Sequence, residues 1–433
     1  MGSIERRLGA CRGGFLGGGL LMLAMTTALS CHAHEASDAV AKGRSIQEFG
    51  VLPSNAPDAN AAALQRAIDW ASERGAALFV EPVDEPYPVA GGVVLKQNAS
   101  LIGVHGPVGR GTRHPSKPQP VGSVFAIEDA SQPFLTVESA TQVRGIQFWY
   151  PKQPATDADA IIAYPPTIQV SQTKGAQGVT LSCLTFFGEY FAMDFAASPQ
   201  APCEQILFEH CYGYPLGGTF IRVERCYDIP RILHCHVNPV NRRLIDGGHS
   251  TPIIDAVMAQ RTFAYIIDHT DNAQLMDVFT FGTWGGVYLG PATYGQMTNF
   301  NLDCVAVGIH KLGDNAFNRN WQISQGSIIA NAGAPIEDIH PIIVEGRGHT
   351  AITAVECFAG KNPALTSVGE SQDFLLVQGD ERLTVSVVGC RMRNYAADEP
   401  ITVRNPNASV QAVACVDRNE TLYNRTIDPN DEP

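Results

Sequence analysis

The chain has 433 residues, of which 45% are apolar and 17% are charged, so it is long and apolar enough to bury a large core. Its formal net charge of −13 argues against a nucleic-acid partner and against a surface that attracts polyanions overall. A locally basic groove is still compatible with this charge, so an acidic polysaccharide is not excluded as a partner.

Residues 1–33 predict a secretion signal. A basic start with three arginines precedes the apolar, glycine-rich run Phe15–Leu29, which is too short to span a membrane as a helix. Either ordinary cleavage follows Ser30 or Ala33, or Cys31 is the lipidated first residue of a bacterial lipoprotein. We therefore expect a secreted, periplasmic or cell-surface protein without a transmembrane span, with Cys31 as the alternative lipid anchor.

Residues 45–105 predict an N-terminal cap and the first coils of a solenoid. An apolar stripe at helical spacing indicates an amphipathic helix that Asp58 or Asn60 caps and that Gly75 ends. The stripe consists of Leu64, Ala67, Ile68 and Ala71. A helix laid over the first coil protects the open end of a solenoid, which would otherwise expose strand edges.

From residue 106 to residue 420 a short phrase of alternating apolar and polar residues recurs, usually ending in cysteine. It ends at Cys183, Cys211, Cys235, Cys304, Cys357, Cys390 and Cys415. Weaker copies around Val278 and Gly326 divide the longer gaps, which leaves a loose period of roughly 22 to 33 residues. Alternation is the pattern of a strand with one buried face, so the period predicts an all-β solenoid of roughly a dozen coils.

The cysteines and the chain end allow two further predictions. The odd number of cysteines after the signal favours small apolar side chains stacked inside the coils, with a disulfide between neighbouring coils as the alternative. Almost no amphipathic helix is expected after about residue 75, and the polar, acidic residues 421–433 predict a disordered tail.

The order of elements near the N-terminus resembles that of the pectate lyase superfamily, right-handed parallel β-helix proteins related to glycoside hydrolase families 28 and 55. The matching stretches are Phe49-Gly50-Val51, Pro57 to Asn60, Leu64 to Ala71, Leu78 to Pro82, and Leu101 to Gly103. The Asp-rich turn departs from the family pattern, and so does the phrase from Pro82 to Tyr87. The resemblance implies an all-β, single-stranded right-handed parallel β-helix with an N-terminal capping α-helix. It also implies a polysaccharide or oligosaccharide partner, with the protein a monomer or a homotrimer.

The densest group of polar and aromatic residues that interrupt the repeat lies between Tyr212 and Lys311. Its sharpest cluster is Asp268-His269-x-Asp271, which we expect in a turn. Paired carboxylates serve as acid and base in glycoside hydrolysis, and Asp268 and Asp271 would equally suit Ca²⁺. The alternative is an ordinary turn in which these side chains cap backbone groups.

A second group suits a polysaccharide lyase, which must neutralise a uronate carboxylate and abstract a proton. Arg242 or Arg243 would bind the carboxylate, and His236 or Lys311 would act as the base. The alternative for each residue is an exposed side chain on a loop. Aromatic and basic residues, several of them in a second patch from Phe148 to Gln153, predict a sugar-binding surface, against the alternative that they only anchor loops. They are Trp149, Tyr150, Lys152, Tyr190, Tyr214 and Trp284.

These residues favour a secreted enzyme that degrades a polysaccharide. A lyase acting on a uronate-containing glycan by β-elimination is preferred, because the basic cluster is denser than any obvious carboxylate pair. A glycoside hydrolase with paired carboxylates, a non-catalytic glycan-binding β-helix and an adhesive rod resembling phage tail-spikes are the alternatives.

Overall fold

Most coils of the chain contribute one strand to each of three parallel β-sheets, as a computed structural model shows. The structure describes residues 43–104, 113–154, 156–238, 251–313, 320–358 and 369–429, which belong to one compact unit. The predicted signal at 1–33, Cys31, Arg242 and Arg243 lie outside the described residues. No helix of the described residues is long and apolar enough to cross a membrane.

The chain runs from the first sheet to the third and then to the second before it begins the next coil. The first sheet consists of Gly43–Ser45, Ala77–Phe79, Ser100–Ile102, Gln142–Arg144, Ala176–Ser182, Cys203–Glu209, Cys226–Tyr227, Arg231–Leu233, Ala273–Met276, Gly295–Thr298, Trp321–Ser324, Gly348–Thr353, Leu383–Val388, Ala408–Val416 and Leu422–Ile427. The second consists of Val93–Leu95, Leu135–Val137, Ile168–Val170, Met193–Ala196, Ile221–Glu224, Phe263–Asp268, Gly285–Leu289, Val307–Gly313, His340–Gly346, Leu375–Val377 and Ile401–Val403. The third consists of Tyr87–Val89, Val124–Ile127, Gln147–Trp149, Thr185–Phe187, Tyr212–Gly213, His236–Val237, Phe279–Phe281, Asn301–Val305, Ser327–Ala330 and Glu356–Cys357. This arrangement is a single-stranded right-handed parallel β-helix, so the predicted fold class is confirmed.

The corner between the first and third sheets has the same backbone conformation in coil after coil. One residue there adopts a left-handed conformation, which turns the chain sharply and which non-glycine residues rarely adopt. These corner residues are Gly145, Cys183, His210, His234, Asp277, Asn299, Gln325, Ala354, Gly389 and Ala414. In four coils the next residue is a fully buried cysteine: Cys211, Cys235, Cys390 and Cys415.

All nine cysteines of the described residues are buried and none of them forms a disulfide, which agrees with the predicted stacking of small apolar side chains. Their positions in the coil differ from the expected single one. Cys183 is itself the left-handed corner residue, whereas Cys304 and Cys357 lie on the third sheet. The recurring phrase therefore marks coils correctly without fixing one position for the thiol.

The core fills the space between the three sheets with residues stacked in register. On the third sheet Phe125, Phe148 and Phe186 pair on successive strands, and their ring centroids are 6.5 and 5.0 Å apart. Stacked aromatic pairs add to the free energy gained from apolar burial.

The capping helix spans Pro57–Arg74, and Gly75 ends it in the left-handed conformation, as predicted. The predicted side-chain cap is wrong, because Ala56 is the N-cap residue and makes no side-chain bond. Asn60 is instead fully buried within the first turn, where it bonds to the backbone of Leu52 and Pro88.

Two predictions from the later part of the chain are corrected. A second helix, Thr251–Ala259, packs Ile254 and Met258 onto Phe281 of the third sheet. The tail predicted to be disordered contains Leu422–Ile427, which pairs antiparallel with Ala408–Val416. Short 3₁₀ helices complete the described structure: Ile46–Phe49, Ala158–Ala160 and Ile336–Asp338.

Candidate active site

Two carboxylates meet on the outer face of the second sheet. Glu224 ends one strand and Asp268 ends the next, and the two residues are partners in the parallel register. The strands alternate, so Val223 and Ile267 beside them point into the core while the two acids point outward. The positions are 44 residues apart in sequence but adjacent in the sheet.

A compact cluster consists of Glu224, Asp268 and His269. We call it the carboxylate pair with its histidine. One carboxylate oxygen of each acid and one ring nitrogen of His269 lie within 4.8 Å of one another. His269 Nδ1 lies 3.0 Å from Asp268 Oδ1, and the backbone N–H of His269 donates to the same oxygen at 2.8 Å. Arg225 forms an ion pair with Glu224.

The environments of the two acids differ. Burial raises the pKa of Asp268 above its ordinary value, and the neighbouring charge of Glu224 also raises it, whereas His269 and Arg225 act in the opposite direction. Glu224 is in direct contact with the Arg225 guanidinium, which stabilises a carboxylate anion. Asp268 is therefore the acid of this pair that is suited to hold a proton.

Aromatic rings continue the same face beside the acids. Tyr288 packs against Phe263 at 5.5 Å and against His310 at 5.6 Å between ring centroids, and Trp284 packs edge-on against Phe263 at 5.5 Å. Burial raises the pKa of Tyr288, and the charges of Asp268 and Glu345 raise it further. Partly exposed rings next to carboxylates provide an apolar platform with polar groups at its edge, the composition of many ligand sites.

Gly290 makes room for Asp268. It follows the strand Gly285–Leu289, and a Cβ atom built on it would lie 2.9 Å from Asp268 Oδ1 and from the Tyr288 ring. A larger residue would displace the carboxylate, so the small side chain here is part of the site's geometry.

Two ion pairs flank the carboxylate pair on this face. Arg222 binds Asp194 through two hydrogen bonds, of 3.0 Å from Nε and 3.2 Å from Nη2. His310 pairs with Glu345, and this hydrogen bond lowers the pKa of Glu345. The face therefore carries several charged groups along successive coils.

The structure brings together only part of the predicted site. Asp268 and His269 lie side by side, and Trp284 lies on the same face. Asp271 follows in the turn before the strand Ala273–Met276, and it is not a member of the cluster of metal-type ligands around Asp268 in the described residues. The carboxylate partner of Asp268 is Glu224 rather than Asp271.

The described members of the predicted basic group lie elsewhere. His236 is on the outer face of the third sheet, where its ring stacks on Phe279 at 4.2 Å between centroids. Lys311 occupies an inward position of the second sheet and is buried, and its ammonium donates to the carbonyl oxygens of Glu345 at 3.0 Å and Arg347 at 3.3 Å. Its environment lowers the pKa of Lys311 to about 8, chiefly because of burial.

Two of the residues predicted to bind sugar are corrected. Tyr150 and Tyr214 are core residues with 3% and 1% exposure, so neither ring can stack on a sugar. The Tyr150 hydroxyl lies 2.6 Å from that of Thr167, and the Tyr214 hydroxyl donates to the carbonyl of Gly282. An apolar environment with one hydrogen-bond partner is the usual setting of a buried tyrosine.

The remaining predicted sugar-binding residues are accessible but do not join the carboxylate pair. Trp149 ends a third-sheet strand and is partly exposed. Lys152 follows it and pairs with Glu128 at 2.9 Å. Tyr190 lies in the turn between the third and second sheets, with its ring against Gly217.

Sequence reasoning missed Glu224. The phrase I-R-V-E-R and the phrase Y-I-I-D-H end two strands of the same sheet at equivalent positions, and this correspondence was the available signal. The inserted segment between them, which contains the helix Thr251–Ala259, breaks the regular period and hides it.

The donor set of the described residues does not fit calcium. Calcium takes six to eight oxygen ligands. Here two carboxylates and one imidazole nitrogen converge, and Arg225 already neutralises one of the carboxylates.

No protein-family model matches this sequence, and no curated protein matches it. Several solved structures resemble it in fold. A single-residue variant of DFA-IIIase from Arthrobacter chlorophenolicus A6, in complex with DFA-III, is 9% identical, with 88% of this chain and 93% of that chain covered and a TM-score of 0.52. The Agl-KA catalytic domain is 9% identical, with 87% and 65% covered and a TM-score of 0.50.

Tailspike protein 2 from the Escherichia coli O157:H7 bacteriophage CAB120 is 11% identical, with a TM-score of 0.47. The match covers 79% of this chain and 42% of that one, so the chain spans less than half of that tailspike's length. The similarity to the DFA-IIIase variant and to the Agl-KA catalytic domain, at 9% identity, concerns the fold, and it agrees with the right-handed parallel β-helix described above.

Proposed function

We propose that this protein is a carbohydrate-active enzyme that cleaves a glycosidic bond of a polysaccharide or oligosaccharide, with Glu224 and Asp268 as its catalytic carboxylates. The observation that carries the proposal is the pairing of these two acids on the outer face of the second sheet, with oxygens within 4.8 Å. The proposal rests on the site, because a parallel β-helix by itself supports many functions.

The two acids have different roles in the proposed reaction. Asp268, with its raised pKa, donates its proton to the oxygen of the leaving sugar. The carboxylate of Glu224, which pairs with Arg225, attacks the anomeric carbon from the other side and forms a glycosyl ester. Asp268 then takes a proton from water, and the resulting hydroxide displaces Glu224 and releases the product.

The separation of the acids favours retention of configuration at the anomeric carbon. Retaining enzymes place the carboxyl groups about 5–5.5 Å apart, whereas inverting enzymes leave about 6.5–9.5 Å for a water molecule. One oxygen of Glu224 and one of Asp268 lie within 4.8 Å of each other, which is nearer to the shorter class. Tyr288 and Trp284 would support a sugar ring beside the acids.

β-Elimination on a uronate-containing glycan stays a prediction of the sequence. Among its described residues, His236 and Lys311 lie on the third sheet and inside the coil respectively, so neither joins Asp268 on the outer face of the second sheet. The hydrolase therefore has the better structural support.

The test is incubation of the purified protein with neutral and uronate-containing polysaccharides, with calcium or with a chelator. Reducing ends and the ultraviolet absorbance of an unsaturated uronate are followed together. We expect reducing ends without new absorbance, unaffected by the chelator. New absorbance would establish a lyase instead. Loss of activity in the presence of the chelator would show that the enzyme needs calcium. If no polysaccharide of a broad panel yields a product, a binding role is favoured.

A further inference from the structure

A separate cavity of about 620 Å³ opens on the outer face of the first sheet, a different sheet from the one that carries the carboxylate pair. Its lining residues are Asn320, Arg347, Gly348, His349, Arg382 and Thr384. Asn320, His349 and Thr384 align on three successive coils, because Trp321 pairs with Thr350 and His349 with Thr384. Short polar side chains therefore line this cavity at the spacing of the coils, about 4.8 Å.

Two arginines flank this row on neighbouring coils. Arg347 immediately precedes the strand Gly348–Thr353, and Arg382 immediately precedes the paired strand Leu383–Val388. The guanidinium of Arg347 forms an ion pair with Glu381, and its Nη2 donates to Glu381 Oε2 at 2.9 Å. Arg382 has no hydrogen bond or ion pair from its side chain to any residue that the structure describes.

The corner that carries Arg347 is fixed from inside the coil. Gly346 and Gly348 on either side of it adopt positive φ angles of 80° and 108°, which glycine adopts without strain. The buried Lys311 donates to the backbone carbonyls of Glu345 and Arg347. A buried ammonium group is costly unless its donors are satisfied, and here those bonds are made to the backbone of this one corner.

We propose that this cavity binds the anionic group of an acidic glycan, either the carboxylate of a uronate or a sulfate ester. Guanidinium groups bind such planar or tetrahedral oxyanions through paired, charge-assisted hydrogen bonds. Asn320, His349 and Thr384 offer polar groups to the sugar hydroxyls alongside. The chain carries a net charge of −13, so it needs a local cationic site of this kind to hold a polyanion.

This inference goes beyond the proposed catalytic function and does not depend on it. The cavity is on the first sheet and contains neither Glu224 nor Asp268. It provides a second contact for an acidic polysaccharide, whichever reaction the second sheet performs.

Isothermal titration calorimetry of the purified protein with three probes tests the proposal: oligogalacturonate, dextran sulfate and neutral dextran, all at one ionic strength. We expect one or both acidic probes to bind and neutral dextran not to bind. Arg382→Gln should weaken that binding by about tenfold or more, because the substitution removes a charge-assisted hydrogen bond to the anion. The matched control is Arg113→Gln, which removes the same charge from an exposed arginine outside the cavity.

Each outcome of the titrations either assigns the anion that the cavity binds or overturns the proposal. Binding of oligogalacturonate alone assigns a carboxylate site, binding of dextran sulfate alone assigns a sulfate site, and binding of both assigns a general oxyanion site. The proposal is overturned if neither acidic probe binds, if Arg382→Gln binds as well as the wild type, or if Arg113→Gln weakens binding equally. Thermal melting of both variants confirms that the exposed substitutions leave the fold intact.

Discussion

The proton on Asp268 controls the proposed reaction, and its neighbours set the pH at which it is lost. Since a general acid must be protonated, activity should fall as the pH rises through the raised pKa of Asp268. The charge of His269 lowers that pKa, so His269→Ala should move the alkaline limb of the kcat/KM profile to higher pH. A shift of the alkaline limb to lower pH in the variant would contradict this effect of His269 on the pKa of Asp268.

Lys311 gives a prediction about stability. Burial lowers its pKa from 10.5 to about 8 in the folded protein, so between these pH values the unfolded chain binds more protons than the folded chain. The lysine therefore makes the free energy of unfolding rise with pH across this window, by about 3 kcal/mol in total. Urea unfolding at pH 7.5 and pH 10 of the wild type and of Lys311→Met should reveal that difference, and equal pH responses would contradict it.

At the residue scale the sequence identified Asp268 and His269 but not their partner. A polar cluster such as D-H-T-D is visible within a few residues, whereas Glu224 becomes a neighbour of Asp268 only through the register of two strands. The same limitation explains Tyr150 and Tyr214. An aromatic residue beside prolines and glycines reads as a loop residue, and only the three-dimensional packing shows that these rings are buried.

At the level of elements, a buried amide helps to attach the capping helix to the first coil. Asn60 Nδ2 donates to the carbonyls of Leu52 and Pro88, each at 2.8 Å, and its Oδ1 accepts from the Leu52 N–H at 2.9 Å. Asn60→Ala would leave these buried backbone groups unsatisfied and should lower the free energy of unfolding by about 3 kcal/mol. Urea unfolding measures this, with the exposed Gln97→Ala as control, and equal effects of the two substitutions would refute the role given to Asn60.

The elements themselves were largely predictable. The helix Pro57–Arg74 has a continuous apolar stripe and a glycine at its end, and the strands alternate clearly. The helix Thr251–Ala259 was not predicted, because its apolar residues interrupt a strand-rich stretch and its packing onto Phe281 is a tertiary contact. The last strand was missed because it pairs on one side only, so its mostly exposed residues are polar.

At the scale of the whole molecule, Leu422–Ile427 covers the open edge of the last described coil. It pairs antiparallel with Ala408–Val416, whose free edge would otherwise be a template for another chain. Truncation after Thr421 should therefore cause concentration-dependent association, whereas truncation after Pro429 should not. Light scattering after size-exclusion chromatography distinguishes the two, and a monodisperse, monomeric Thr421 truncation beside an identical Pro429 truncation would contradict the capping role.

The central claim is that Glu224 and Asp268 perform the chemistry together, and the most direct test is the rate of reducing-end release by five proteins. These are the wild type, Glu224→Gln, Asp268→Asn and Asp271→Asn, with Asp228→Asn on the first sheet side as a control for the loss of one carboxylate. The claim predicts that Glu224→Gln and Asp268→Asn each lose at least about 100-fold in rate with unchanged melting temperature, while Asp271→Asn and the control stay close to the wild type. Full activity in Glu224→Gln, or loss in Asp271→Asn instead, would contradict it.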